Sequence, residues 1–142
     1  MADIGTIRGA IQTRLETTLS GVGLHVYSEW PDQIVPPAVL VAIAPLGVEY
    51  EQTLGATDRM LLHFNLVVLA SLQGGLVNAQ AAIDPWLSNT GASSIRVALA
   101  ADRTLNGGVH GLHVRRVRDY GGVQINSQEW LGATIDLDVH AS

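Results

Sequence analysis

The sequence of 142 residues contains no cysteine and no lysine. Without cysteine there is no disulfide framework, no thiolate nucleophile and no cysteine-ligated zinc. Without lysine there is no Walker A loop, because that motif needs a lysine to reach the phosphates. Charged residues make up only 15% of the chain, against about 25% in an ordinary soluble domain. Such a chain suits a subunit that buries surface against copies or partners, with a compact monomer as the alternative.

Basic charge is also scarce. All eight basic residues are arginines, and the formal net charge is −5. The one basic cluster consists of Arg115, Arg116 and Arg118, and thirteen acidic residues spread along the chain offset it. Binding to a nucleic-acid backbone needs clustered cations that release counterions, so the composition argues against a nucleic-acid-binding protein. The longest apolar run, 66–70 with its neighbours, is far shorter than the roughly 20 residues of a membrane helix, and we expect no membrane association.

Catalytic and metal-binding patterns are missing from the sequence. It has neither an HExxH motif nor a nucleophile elbow, and Ser94 fits a helix cap or turn better than a nucleophile. His110 and His113 are three positions apart on a predicted strand and therefore point to opposite faces. Asp136 and Asp138 share a strand face, but a solvated face with arginine partners explains them better than a carboxylate dyad. We therefore predict no enzymatic activity, no cofactor and no metal site.

Periodic apolar residues predict the first helix. They recur at spacings of three and four, and they are Ile4, Ile7, Ile11, Leu15 and Leu19. With Asp3 as the N-cap and Gly21 just past the end, the helix should run from about Ile4 to Ser20. Its apolar stripe needs a sheet to cover.

A second helix is predicted to begin near Leu76, after a glycine-rich stop. Pro85 cannot donate the intrahelical hydrogen bond, so we expect a break there and a restart with Asp84 as the N-cap. The segment 94–101 fits either a short helix or a strand. Trp30, Trp86 and Trp130 are predicted to anchor the core or an interface, since no basic residues interleave them as in a nucleic-acid stacking platform.

Alternating residues predict the strands. Strands are expected at 24–27 and 38–44, and a hairpin at 48–52 and 58–71 around Leu54. The last strand, 131–139, alternates most regularly. A β-bulge at Arg115-Arg116 in its partner would aim Arg118 or its neighbours at Asp136 and Asp138. Tyr120-Gly121-Gly122 is expected to open the connecting loop.

These elements predict one α+β domain spanning residues 1–142. Two principal helices should pack on one face of a mostly antiparallel sheet of four or five strands. A chain of this length is expected to bury roughly two-thirds of the surface that its unfolded form exposes, so a second domain is not needed.

A resemblance to a known family runs through residues 84–139. It rests on Asp84-Pro85-Trp86-Leu87, on Ser94-Ile95 with Ala98-Leu99, on 102–108, and on Leu131-Gly132-Ala133. These stretches resemble the tail terminator proteins of long-tailed (siphovirus-like) bacteriophages, in which a D-P-L-L…G…S-I-x-x-A-L…D-x-T-L-G-G segment precedes two closing strands and a Y-L-G-A entry. Here Trp130 replaces the tyrosine, and Asn106 interrupts Leu-Gly-Gly. Before residue 84 the resemblance is looser and covers one opening helix and a proline-bounded strand.

The resemblance implies a structural protein of the virion that is not an enzyme. Proteins of this family form hexameric rings that cap the tail tube, stop its polymerisation and join the tail to the neck of the head. The implied partners are further copies of the chain, the tail tube protein and a head completion or neck protein, and genomic DNA would pass through the lumen without specific binding. The implied location is the head–tail junction, after assembly in the host cytoplasm. The alternatives are a head completion (stopper) protein of the same neck and a small α+β ligand-binding domain.

Two sets of residues are predicted to lie at the interfaces of such a ring. The proline-rich loop and the hairpin tip would otherwise expose apolar side chains, which predicts contacts through Trp30, Ile34, Val35 and Leu54. Charge pairing, within one subunit or between two, adds Arg115, Arg116, Arg118, Asp136 and Asp138. A channel that repels DNA would be lined by the acidic residues Glu49, Glu51 and Asp58.

Overall fold

The structure of the protein is a computed structural model that describes residues 3–19, 24–28, 33–35, 37–51, 59–91, 93–105, 107–125 and 127–141. Within these residues lie three helices and five strands. In chain order they are α1 (Ile4–Thr18), β1 (His25–Tyr27), β2 (Ala38–Glu51), β3 (Arg59–Ser71), α2 (Leu76–Leu87), α3 (Ile95–Ala100), β4 (Gly111–Ile125) and β5 (Gln128–Ala141).

The strands form a single mixed sheet in the order β1-β2-β3-β5-β4. β1 runs parallel to β2, and every other neighbouring pair is antiparallel. β2 is irregular between Ile43 and Val48, and counting its two parts separately would give six strands. The predicted fold class is therefore confirmed as α+β, with two principal helices and a mostly antiparallel sheet.

The first helix begins where its cap predicts. The Asp3 side chain accepts a hydrogen bond from the backbone N–H of Thr6 at 2.7 Å, and this bond holds the pKa of Asp3 below its usual value. The stripe of Ile7, Ile11 and Leu15 is buried against the sheet. Gly21, the predicted end signal, lies outside the described residues.

The predicted break in the second helix is wrong. α2 runs without interruption from Leu76 to Leu87, with Pro85 inside it. Pro85 lies in the last turn, and continuing the helix keeps Ile83 and Trp86 buried in the core. The tertiary packing therefore outweighs the hydrogen bond that proline cannot make. Asp84 does not cap a new helix but accepts a hydrogen bond from the Tyr120 hydroxyl at 2.6 Å.

The segment after α2 is the short helix α3, which resolves the alternative left open by the sequence. Its N-cap is Ser94, whose hydroxyl accepts from the backbone N–H of Val97 at 3.2 Å and donates to the carbonyl of Ser88 at 2.5 Å. Ser94 is therefore a cap, as predicted, and α3 buries Ile95 and Leu99 beneath it.

The last two strands contain one predicted feature and one correction. The register of β4 against β5 shifts between Val114 and Arg116, which confirms the predicted bulge. The loop predicted at Tyr120-Gly121-Gly122 is wrong, because β4 continues to Ile125. At a second register shift, Asp119 and Tyr120 lie between the paired residues Arg118 and Gly121. Pairing resumes with Gly121 opposite Gly132.

The main core lies between the three helices and one face of the sheet. It contains apolar residues of α1, α2 and α3 together with alternate residues of the two central strands, which include Leu62, Phe64, Leu66, Val68, Leu131, Ala133, Ile135, Leu137 and Val139. The burial of alternate residues along β5 confirms the alternation predicted for the last strand. No helix in the described part of the chain is long and apolar enough to cross a membrane.

Candidate functional site

The opposite face of the sheet, called here the open face, carries no described helix. Its side chains come from the residues of β3 and β5 that alternate with the core residues, and from their neighbours in β2 and β4. The open face divides into two parts. The apolar cluster consists of Ile34, Ala38, Leu40, Leu69 and Trp130. The charged patch consists of Glu49, His63, Arg115, Arg116, Arg118, Asp136 and Asp138.

The apolar cluster packs around Trp130. This indole is only 5% exposed, and its ring N–H donates to the carbonyl of Ile125 at 3.3 Å. Ile34 is also buried, whereas Val35 is 51% exposed and is held by a hydrogen bond from its backbone N–H to the Tyr27 hydroxyl. Beside the cluster lies a cavity of about 470 Å³ lined by Ile34, Ser71, Leu72, Gln73, Gln128, Glu129 and Trp130.

The glycine that follows Trp130-Leu131, Gly132, lies where the neighbouring strands leave no room for a side chain. A Cβ at this position would lie 2.9 Å from the Val123 side chain, 3.2 Å from the Leu69 side chain and 3.2 Å from the carbonyl of Val68. The neighbouring strands therefore pack directly over the backbone of β5, and only glycine leaves room for them.

The charged patch is organised around Asp136. Its carboxylate accepts hydrogen bonds from Arg116 Nε at 2.5 Å and from Arg118 Nε at 2.9 Å. Burial acts to raise the pKa of Asp136, but the bonds from the two arginines outweigh it and hold the pKa below its usual value. The same contact raises the pKa of Arg118, which also pairs with Asp119 at 2.5 Å. Oriented to satisfy both neighbours, the Asn65 amide donates to Asp136 at 3.1 Å and accepts from Arg118 at 3.3 Å.

A histidine occupies the other part of the charged patch. His63 is 8% exposed and lies on β3 between two acidic side chains from the strands on either side. Its Nδ1 is 2.8 Å from Asp138 Oδ1, and its Nε2 is 3.0 Å from Glu49 Oε2. The second oxygen of Asp138 lies 3.5 Å from Arg115 Nε. Asp138 therefore connects β5 to both β3 and β4 through side-chain contacts.

The structure brings together all five of the predicted charge-pairing residues. Arg116 and Arg118 pair with Asp136, and Arg115 pairs with Asp138, which confirms that the bulge aims these arginines at the two aspartates. The described part of the chain forms these pairs within one subunit. Contacts of the same residues, and of Ile34 and Val35, with a neighbouring subunit stay predictions.

The other predicted positions give less information. Trp30, Leu54 and Asp58 lie outside the described residues, as does the side chain of Glu51. Of the predicted channel residues, Glu49 is described, and its carboxylate is bound to His63 on the open face. Its place in a channel stays a prediction. Trp86 and Trp130 are both buried, as expected of anchors.

Sequence reasoning missed His63 as a member of the site. The signal was present, because His63 is one of the residues of β3 that alternate with the core residues, and the last strand has aspartates on its polar face. What the sequence could not supply was the register that puts His63 directly opposite Asp138. A one-residue change of register would have turned either side chain to the other face.

The side-chain contacts of the charged patch connect β2, β3, β4 and β5. The charged side chains of the patch are engaged with one another, and the cavity beside them measures about 340 Å³. Among the described residues, no group of three or more histidine and carboxylate side chains is arranged to hold a metal ion. Partly exposed charge pairs of this kind contribute about 1 kcal/mol or less each to stability.

A scan of the sequence against models of protein families finds no match. A search of curated proteins likewise finds no significant similarity.

Proposed function

We propose that this protein is a structural tail terminator of a long-tailed bacteriophage. In this proposal, six copies form a ring that caps the tail tube, stops its polymerisation and presents a surface to the neck of the head. The protein acts by binding and has no catalytic step. Its partners are its own copies, the tail tube protein and a head completion protein.

The observation that carries the proposal is where the resembling residues lie in the fold. Ser94 caps α3, Gly107 takes a positive φ of 83° in the turn before β4, and Gly132 lets the neighbouring strands pack over β5. The stretches that resemble tail terminators are therefore residues that build the architecture. A likeness in such positions supports a shared fold, and function must be argued from the surfaces that the fold presents.

The open face supports a role in assembly. Sheets bury at least one face against another layer, and here the described helices all lie on one side. The apolar cluster is already buried within the chain, but large apolar side chains that a partner could cover are exposed beside it, at Val35, and on β2, at Tyr50. A ring subunit has such surfaces because neighbouring copies meet through two different patches that close on themselves.

The edges of the sheet support capping by a closed ring. β1 has three residues, and β4 carries two register shifts and several charged side chains. Short or bulged edges resist the uncontrolled addition of strands. A terminator needs this property, because it must bind the end of a polymer without becoming a template for further growth.

Mass measurement tests the proposal. The purified chain of 15.1 kDa, alone and mixed with tail tube subunits, is examined by native mass spectrometry, and tube length is measured by electron microscopy. We expect a species of six chains and shorter tubes as the protein is added. A chain that stays monomeric under both conditions and leaves tube length unchanged contradicts the proposal.

The same experiment separates the alternatives. A protein that leaves tube length unchanged but binds portal or head particles is a head completion protein. A monomer that binds neither particle is consistent with a ligand-binding domain, whose candidate pocket is the cavity beside Trp130.

A charge variant tests the expectation that the ring does not grip DNA. Arg116→Gln combined with Arg118→Gln removes both partners of Asp136. We expect DNA retention in assembled particles to stay unchanged, with Arg103→Gln, an exposed arginine outside the patch, as the control. Loss of DNA retention with intact ring assembly would contradict this expectation and favour DNA binding.

A further inference from the structure

The His63 contacts require a particular number of protons. Both ring nitrogens lie within hydrogen-bond distance of carboxylate oxygens, at 2.8 Å from Asp138 and 3.0 Å from Glu49. A neutral imidazole has one N–H, so it can donate to only one of these oxygens, and its other nitrogen would face an acceptor with a lone pair. A doubly protonated ring donates to both.

The outer part of β2, residues 48–51, depends on few neighbours. It pairs with β3 through Val48 opposite Leu62, Glu49 opposite Leu61 and Tyr50 opposite Met60. On its other side β1 pairs with β2 only as far as Leu40, so among the described strands this part of β2 is an edge. The Glu49 side chain contact with His63 is therefore a tie between this edge and the centre of the sheet.

We propose that His63 is a protonation-controlled clamp, in which the imidazolium ties the outer part of β2 across β3 to β5 and the neutral ring releases Glu49. In the neutral ring the remaining proton stays on Nδ1 and is donated to Asp138. This contact is shorter than the one with Glu49, and the Asp138 side chain is 18% exposed against 63% for Glu49. The clamp does not depend on the proposed function, since it concerns the pairing of strands within one chain.

The charges around the ring fit this assignment. Glu49 of β2 and Asp138 of β5 face the ring directly, and Arg115 of β4 contacts the other carboxylate oxygen of Asp138. His113 of β4 is opposite Asp138 in register and is exposed, and Asp136 with its two arginines lies two residues further along β5. Arg115 leaves Asp138 its second oxygen for His63, so two carboxylates and one shared arginine favour the cation.

The electrostatics give the direction of the pH dependence. The hydrogen bond with Glu49 raises the pKa of His63 above its ordinary 6.5, against the opposing effect of burial, and Asp138 adds to the rise. A raised pKa in the folded state means that the clamp contributes its full stability below about pH 6.5. This contribution is lost as the pH rises through the higher pKa of the folded protein.

Nuclear magnetic resonance of the full chain tests the clamp. The ring nitrogens of His63 are followed through a pH titration in the wild type, in Glu49→Gln and in the control Glu129→Gln, an exposed carboxylate of β5. Glu49 is exposed enough that its replacement leaves the fold intact. We expect both nitrogens to be protonated in the wild type at about pH 6, and we expect Glu49→Gln alone to lower the pKa of His63.

Amide hydrogen exchange provides a second readout. Between about pH 6 and about pH 9, after correction for intrinsic rates, protection of those amides of residues 48–50 that bond to β3 should fall about two- to fivefold in the wild type. In Glu49→Gln the protection of these amides should already be at the lower, high-pH level of the wild type at both pH values. A His63 ring that is neutral at the lower pH, an unchanged pKa in Glu49→Gln, or the same fall in protection in that variant would each overturn the proposal.

Discussion

The covered and open faces of the sheet are built from the same strands but are stabilised by different interactions. Along β3, Phe64 and Leu66 point into the core and are fully buried, while His63 and Asn65, which alternate with them, face the charged patch. The covered face depends on apolar burial, which has no directional requirement. The charged patch of the open face depends on directional contacts, since each buried polar group needs a partner.

The difference between the two faces shows how one strand can both pack against the helices and bind its neighbouring strands through polar side chains. The helices need a continuous apolar surface, and every second residue of β3 and β5 supplies it. The remaining positions are free to carry polar groups, provided that the neighbouring strands supply the opposite charge. Asp136 and Asp138 receive arginines from the bulged part of β4, where a regular strand would have placed one of them elsewhere.

Truncating the covered face should have the largest effect. Phe64→Ala removes a fully buried ring from the core, and we expect it to lower the free energy of unfolding by about 3–5 kcal/mol. Val67 is a half-buried residue on the open face, and Val67→Ala should lower the free energy of unfolding by about 1 kcal/mol. Urea denaturation at one protein concentration measures both. Equal losses would mean that the open face is as well covered as the core.

The glycine of β5 should come next. Gly132→Ala places a methyl group against Val123, Leu69 and the backbone of Val68, and overpacking of this kind costs about 1–3 kcal/mol. Gly111→Ala in β4 is the matched control, because a Cβ there meets nothing within 4 Å. Thermal unfolding compares the two. If both variants unfold at the wild-type temperature, the close packing over β5 is refuted.

A smaller effect is expected at the cap of α3. Ser94→Ala removes the acceptor for the backbone N–H of Val97 and the donor to the carbonyl of Ser88. Loss of an N-cap costs about 1 kcal/mol. Ser94→Thr should retain most of the stability, and chemical denaturation distinguishes the variants. Wild-type stability in Ser94→Ala would show that burial alone holds α3.

The smallest effect should come from the charged patch. Asp136→Asn weakens the contacts with Arg116 and Arg118, both of which are partly exposed, so we expect a loss of roughly 1 kcal/mol or less. Because the pKa of Asp136 is lowered in the folded state, this contribution is present above the ordinary pKa of 3.8 and is lost as the pH falls through the lower folded value.

Denaturation measured across the acid range checks this pH dependence. The difference between wild type and Asp136→Asn should be constant near neutral pH and shrink in strong acid. Glu129→Gln, an exposed residue of the same strand, should show no difference at any pH. A difference for Asp136→Asn that grows towards acid would contradict the pairing.

Much of the fold could be predicted because its signals are local or periodic. The cap at Asp3, the stripe through Ile11 and the alternation of β5 are confirmed. The bulge beside Arg115 was predictable because only an extra residue returns Leu112, Val114 and Val117 to one parity. The break at Pro85 and the loop at Tyr120 were wrong, because burial of Trp86 and a second bulge overrode local preferences.

The site was predictable in its members but only partly in its geometry. Sequence reasoning paired the arginines with Asp136 and Asp138 but did not find the contacts of His63 with Glu49 and Asp138. These join residues 14 and 75 positions apart in the chain. No local pattern carries such information, since it depends on which strands become neighbours.

The sequence by itself determined the elements that depend on nearby residues: the first helix, the parity of β3 and β5, the caps and the bulge. Spacing decides these because side chains repeat every 3.6 residues in a helix and every two in a strand. Only the tertiary structure decided the strand order, the register and the surroundings of His63. Those depend on contacts between distant segments, which form only when the helices and the sheet pack together.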